Sequence, residues 1–195
     1  MRIERILGKK GCRICAFLAL LILFLPTLWG EEEPDSSISL DLQVPIFLKI
    51  MTYDRSFNLG NGEVFRVGFI ARAEGMNTGS FLEVQKILAD KTILGHPIVL
   101  SPISLEALEK EVETVNPHIL ILSRIPDEHL AKVLHLSKAR RIMTFGTDPD
   151  YLKVDIGVVL TLEAGKPLIN LNLDVAKDAG ADFPSNFLKH CRIIR

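Results

Sequence analysis

Ile119-Leu120-Ile121-Leu122 is a run of four branched aliphatic residues, preceded by Asn116-Pro117-His118 and followed by Ser123-Arg124. A half-buried strand alternates apolar and polar side chains, because successive side chains point to opposite faces. Four apolar residues in succession leave no wet face, as in a strand covered on both sides. A chain with such a strand at its centre needs a sheet with helices above and below it.

The flanking pattern supplies both. Strands are predicted over 63–71, 98–100, 118–123 and 141–145, and helices over 81–89, 105–114 and 127–136. Ser104 is placed to N-cap the second of these helices, its hydroxyl accepting from a free helix N–H, and Asp127 to cap the third. The order β-α-β-α-β-α-β predicts a mainly parallel sheet. Before it, apolar residues Leu42, Ile46, Phe47, Ile50, Met51 and Tyr53 mark one helical face over 39–57, with Pro45 tolerable only in a first turn. After it, strands over 156–162 and 167–173 flank the hairpin turn 163–166. A short helix over 174–179 ends at Gly180, and a last helix is expected over 185–193. The fold class is therefore α/β: a mainly parallel sheet flanked by helices on both faces, with a C-terminal β-hairpin and two C-terminal helices.

The first thirty residues are of a different kind. Arg2, Arg5, Lys9, Lys10 and Arg13 face one acid, Glu4, and the apolar run 16–25 follows, closed by Pro26 and Gly30. A basic start, an apolar core of this length and a small residue at the end read as a secretory signal peptide over 1–30. The run is short for a bilayer span, which takes about 20 apolar residues; an uncleaved anchor is the alternative. Residues 31–38 are polar and expected to be a disordered leader, and 39–195 a single domain. The leader removes five of 23 basic residues and one of 24 acidic ones, leaving 18 basic and 23 acidic and a net charge of −5. An acidic exported domain offers no electrostatic grip on nucleic acid.

Cysteine usage follows. Cys12-x-x-Cys15 has redox or metal-site spacing but precedes the apolar core of the leader. Cys191 alone follows it, so no internal disulfide forms; the thiol is either buried or pairs between chains as a homodimer.

Catalytic and cofactor motifs are missing from the sequence. It has no G-x-S-x-G, Walker loop, H-E-x-x-H or G-x-G-x-x-G after a strand. His96, His118, His129, His135 and His190 have no zinc spacing. Catalytic residues, metals and cofactors are all expected to be none. Candidate ligand positions are the strand ends. Gly75, Asn77 and Thr78 lie in a loop opening a helix, where backbone N–H groups can meet an anion, although Gly and Asn also serve ordinary turns. Ser123 and Arg124 end the central strand, and Arg124 can hold a carboxylate or phosphate through two hydrogen bonds. Thr144 and Asp148 lie at the end of the next strand. Asp148 and Asp150 flank Pro149, a pairing that suits acid–base work or turn capping. Asn170 and Asn172 share one strand face and need partners if that face is covered.

Residues 165–194 resemble the C-terminal signature of the YfiR-like family of bacterial periplasmic regulatory proteins. A hairpin strand ends in Asn172-Leu173, a helix carries Ala176 and is followed by Gly180, and Ser185 precedes a helix holding Leu188. Residues 44–50 resemble the family's opening helix, so that the likeness covers about 40–195. It implies a compact α/β domain without known catalysis. It also implies a partner: a membrane-bound signalling protein, a diguanylate cyclase or a sensor kinase, engaged through its periplasmic domain. Such a member represses the cyclase, lowering cyclic-di-GMP and biofilm formation. Two departures stand out. The well-studied members carry redox-responsive disulfides, and the family's frequent Trp-Pro helix ending reads Thr52-Tyr-Asp-Arg55 here. The rival expectation is a periplasmic small-ligand module feeding a sensor kinase or transporter.

Overall fold

The computed structural model describes residues 38–71 and 79–194. The expected signal peptide over 1–30, nearly all of the expected leader, and Gly75, Asn77 and Thr78 lie outside the described residues.

Helix α1 (Leu40–Met51) opens the described chain. It is followed by β1 (Phe65–Ile70), α2 (Ser80–Leu88), the two-residue strand β2 (Thr92–Ile93) and β3 (His96–Ile103). Next come α3 (Leu108–Val115), β4 (Ile119–Leu122), α4 (Asp127–Arg140) and β5 (Met143–Gly146). A 3-10 helix (Pro149–Lys153) leads to the hairpin of β6 (Val158–Glu163) and β7 (Lys166–Asn172), then α5 (Leu173–Asp178), α6 (Ser185–Leu188) and β8 (Cys191–Ile194).

The eight strands form one sheet in the order β2-β3-β1-β4-β5-β6-β7-β8. Strands β3, β1, β4, β5 and β6 run parallel, β7 is antiparallel to β6, and β8 is parallel to β7. Ile119–Leu122 is buried at every position, in the middle of the parallel body. Its odd residues join one core and its even residues the other. Ile119 and Ile121 pack with α1 and α2 residues such as Phe47 and Val84, and Leu120 and Leu122 with α3 and α4 residues such as Leu108 and Val133. Burying one such aliphatic side chain stabilises the fold by about 1.5–3 kcal/mol. The sheet and helices are the expected fold class.

Several local features differ from the sequence reading. Asp127 is the first residue of α4 rather than its cap: Pro126 stands at the cap, no side chain makes a capping bond, and the helix runs on to Arg140. Pro45 sits in the second turn of α1, and the helix runs through it. A proline there forfeits a helix hydrogen bond, yet Val44, Phe47, Ile50 and Met51 are all buried against the sheet on that helix, and that packing prevails. The helix stops at Met51 because Asp54 organises a turn. Its Oδ1 accepts from Ser56 N at 2.9 Å and from Asp182 N at 2.8 Å, tying the helix end to the C-terminal segment.

Helix α3 starts at Leu108, later than the expected 105. Ser104 Oγ still accepts from Ala107 N at 3.2 Å, while Glu111 accepts from Ser104 N at 2.6 Å. The Ser–Glu pair thus closes the turn that leads into the helix.

The last helix is four residues long, and 191–194 is a strand. Residues two apart, Cys191 and Ile193, sit in register with Ile169 and Leu171 of β7, which gives the segment a sheet ladder in place of further helix bonds. The hairpin turn is as expected: Ala164 (φ 50°) and Gly165 (φ 75°) are both left-handed, as a two-residue hairpin turn requires.

Candidate functional site at the carboxyl edge of the sheet

Leaving out β2, the parallel body runs second, first, third, fourth, fifth strand across the sheet. Chain direction across the sheet reverses between β1 and β4, and in open α/β sheets ligands bind outside the carboxyl ends of the strands at such a point. On one side of it the segment after β1 lies mostly outside the described residues. On the other side Ser123 N donates to Ile70 O at 2.9 Å, which fixes the start of the β4 loop.

Arg124 follows. Its Nε lies 3.3 Å from Asp148 Oδ2 and its Nη2 3.6 Å from Asp150 Oδ2. The register of β4 and β5, which places Leu122 beside Gly146, puts these two strand ends side by side. Thr147 N extends the ladder to Leu122 O at 3.0 Å. Asp148 Oδ1 accepts from Asp150 N at 2.9 Å, capping the 3-10 helix. Lys153 Nζ bonds Asp150 Oδ1 at 2.9 Å; that hydrogen bond, then the lysine's charge, lowers the Asp150 pKa below the usual carboxylate value, and Arg124 adds to it. The Lys153 pKa is raised in return by the same bond.

Tyr151 forms the floor. Its hydroxyl donates to Ser123 O at 2.5 Å and accepts from Ile125 N at 3.0 Å. Burial pushes the phenol up to about 12, so it stays protonated and the donor role is permanent. Gly146 makes room for it: a Cβ there would come within 2.6 Å of Tyr151 Cδ2. The result is a cleft of about 640 Å³ with Arg124, Asp148, Asp150 and Lys153 on the rim and Ile125, Leu130 and Val154 among its apolar walls. Apolar walls with a few convergent polar groups are what small-molecule sites use.

The structure therefore brings Arg124 and Asp148 together at this cleft, whereas Ser123 lies behind it, its carbonyl accepting from the Tyr151 hydroxyl. Thr144 is elsewhere: it is wholly buried in β5, and its Oγ1 accepts from Gly157 N at 2.9 Å, stitching β5 to the entry of β6. Among the described residues no group of three or more His, Cys, Asp or Glu converges as metal ligands would.

The sequence reading missed Gln43. This α1 residue is 2% exposed. Its Nε2 donates to Thr147 O at 3.1 Å and to Ile38 O, while its Oε1 has no hydrogen-bond partner. Gln43 thereby holds the first helix to the loop that carries Asp148. A polar residue four before Phe47 on the buried helix face is the signal that could have found it.

The C-terminal signature residues are mostly structural in placement. Asn172 Oδ1 accepts from Val175 N at 3.1 Å and caps α5, which starts at Leu173. Ala176 is fully buried, and Gly180 is left-handed at φ 86°, as the chain leaves the helix. Ser185 opens α6 and Leu188 closes it, half-buried against the core. Asn170 Nδ2 donates to Val159 O and to Thr161 Oγ1.

The YfiR/HmsC-like family model matches residues 75–192. The chain belongs to the YfiR/HmsC-like family. No curated protein matches it. Two solved structures share the fold at 12% identity each. The ABC domain in complex with L-Trp from Streptococcus pneumonia superposes with a TM-score of 0.55 over 80% of this chain and 60% of that one. A conserved domain protein from Vibrio cholerae gives a TM-score of 0.53 over 82% and 61%. The chain spans about three fifths of the length of each. Among the described residues no helix of this family member is long and apolar enough to cross a membrane.

Proposed function

We propose that this chain is a non-enzymatic periplasmic regulator, exported by the signal peptide over 1–30, whose single domain over 39–195 binds the outer domain of a membrane signalling protein. The proposed partner is a diguanylate cyclase, which the bound regulator represses. The family match over residues 75–192 carries this reading. Exposed apolar side chains on α1, in the turn after it and near the C-terminus, Leu42, Tyr53 and Ile193 among them, support it as contact residues. Repression of this kind needs the regulator to bind one conformation of its partner better than the other. Deleting the gene is expected to raise cyclic-di-GMP and surface attachment; unchanged levels of both overturn the cyclase reading.

A second reading is a small-ligand module feeding a sensor kinase or transporter. The observation favouring it is the cleft of Arg124, Asp148, Asp150 and Lys153 at the carboxyl edge, in a fold shared with a domain described in complex with L-Trp. A thermal-shift screen against metabolites tests it, because any ligand of the folded state raises its stability. Reproducible stabilisation supports the module, and a flat screen removes it.

A further inference from the structure

A second cavity, of about 320 Å³, opens at the amino ends of the parallel strands, away from the Arg124 cleft. Three segments frame it. The last turns of α4 supply Leu134 and Lys138, the approach to β6 supplies Asp155, and the junction of β7 and α5 supplies Asn172, Asp174 and Val175. Strand β7 is antiparallel to β6, so it ends where β6 begins. Asn172 N donates to Gly157 O at 2.8 Å and fixes that junction.

Two observations point to a ligand there. The first is the charge left over. Three carboxylates line the cavity, those of Asp155, Asp174 and Asp178, against the single ammonium of Lys138. Lys138 is already engaged, its Nζ 2.7 Å from Asp178 Oδ2. Asp155 and Asp174 form no ion pair among the described residues. The second observation is Asn172, which is 5% exposed and lines the same cavity. Its Oδ1 caps α5 by accepting from Val175 N, but its Nδ2 donates to no acceptor among the described residues. Capping needs only the oxygen, which Asp or Ser would supply equally. The buried amide N–H groups are left over, and a bound acceptor would offset their desolvation.

We propose that this cavity binds a small aliphatic amine that carries a neutral oxygen acceptor beside its ammonium, the chemistry of an amino-acid amide or an amino alcohol. The ammonium is held by Asp155 and Asp174, the oxygen accepts from Asn172 Nδ2, and the hydrocarbon lies against Leu134, Ile142 and Val175. The cavity volume falls within the range of small-molecule sites. A bare metal ion lacks a ligand set, since among the described residues no three His, Cys, Asp or Glu converge. A zwitterion fits poorly, because its carboxylate would enter a cavity with two uncompensated acids. The proposal goes beyond the regulator reading and does not depend on it, and it uses none of the groups of the carboxyl-edge cleft.

The test uses protein purified from the periplasm after expression of the whole chain. It is titrated calorimetrically with L-leucinamide at about pH 7, where an α-amino group is protonated. Three relatives of the probe each change one feature: 4-methylpentanamide lacks the amine, isoamylamine lacks the carbonyl, and leucine adds a carboxylate. Leucinamide is expected to bind about tenfold or more tightly than 4-methylpentanamide, and about threefold or more tightly than isoamylamine. A double variant, Asp155→Asn with Asp174→Asn, alters only exposed side chains and is expected to erase the preference for the amine. Asn172→Asp keeps the capping oxygen and removes the donors, so it is expected to bring leucinamide down to the level of isoamylamine. Thermal unfolding checks that both variants are folded. No binding of leucinamide, leucine bound as tightly as leucinamide, undiminished affinity in the double variant, or an unchanged ratio of leucinamide to isoamylamine in Asn172→Asp would each overturn the proposal.

Discussion

His118 lies flat against Phe65, the ring centroids 5.4 Å apart and the planes 12° from parallel. Its Nδ1 accepts from Arg66 N at 2.9 Å, and Arg66 Nη2 stands 3.3 Å from Nε2. The imidazole must therefore keep a lone pair on Nδ1, and a proton there would replace an acceptor with a second donor.

Burial, and then the Arg66 charge, lower the His118 pKa from 6.5, with Glu63 opposing. The unfolded chain thus takes up the proton first as pH falls. The stability linked to His118 is fully present above the unfolded value of about 6.5 and is lost as pH drops through the lower folded value. Urea midpoints measured at about pH 7.5 and about pH 5 should fall more for the wild type than for His118→Asn, which keeps an acceptor and does not titrate. Equal falls in the two proteins would refute this role.

Tyr151 depends on Gly146. A Cβ at 146 meets Tyr151 Cδ2 at 2.6 Å and Cβ at 3.1 Å, so the ring as a whole must move. Gly146→Ala should cost about 1–3 kcal/mol by overpacking. Tyr151→Phe should cost about 1–3 kcal/mol by leaving Ile125 N and Ser123 O unpaired. Denaturant titration of each variant measures both, and a change below about 0.5 kcal/mol in either would refute that account of the floor.

The order in which these features became readable follows from their range. Ile119–Leu122 declared a strand covered on both faces because burial on both sides is written in four adjacent residues. Arg124 and Asp148 were visible as strand-end residues, but their pairing was not, since it depends on β4 lying beside β5 with Leu122 level with Gly146. Strand β8 was hidden for a similar reason: Cys191 and Ile193 show a period of two only once β7 is there to pair with them. Pro45 in the second turn of α1 and the buried Gln43 both reflect tertiary packing that outweighs local preference.

Asn172 is a helix cap supplied by a strand residue. Removing its side-chain acceptor in Asn172→Ala should cost about 1 kcal/mol, and Asn172→Asp, which keeps the oxygen, should cost less. Thermal unfolding of the two variants side by side checks the ranking; a reversed order would show that the capping bond to Val175 N is unimportant.

Cys191 is half-buried, with Sγ 3.6 Å from Phe187 O, and burial raises its pKa to about 11. At pH 8 it should hold about a hundredfold less thiolate than an ordinary cysteine, since reactivity follows the thiolate fraction. Iodoacetamide labelling of the native protein is expected to be slow, and to become fast in urea. Rapid labelling of the folded form would contradict the burial.

The regulator reading turns on where the chain acts as well as on whether it acts. Cyclic-di-GMP measured in a strain lacking the gene, and in the same strain supplied with either the whole chain or the chain without residues 1–30, tests both together. The account predicts a rise on deletion that the whole chain reverses and the leaderless chain does not. No rise, or equal restoration by the leaderless chain, would contradict it.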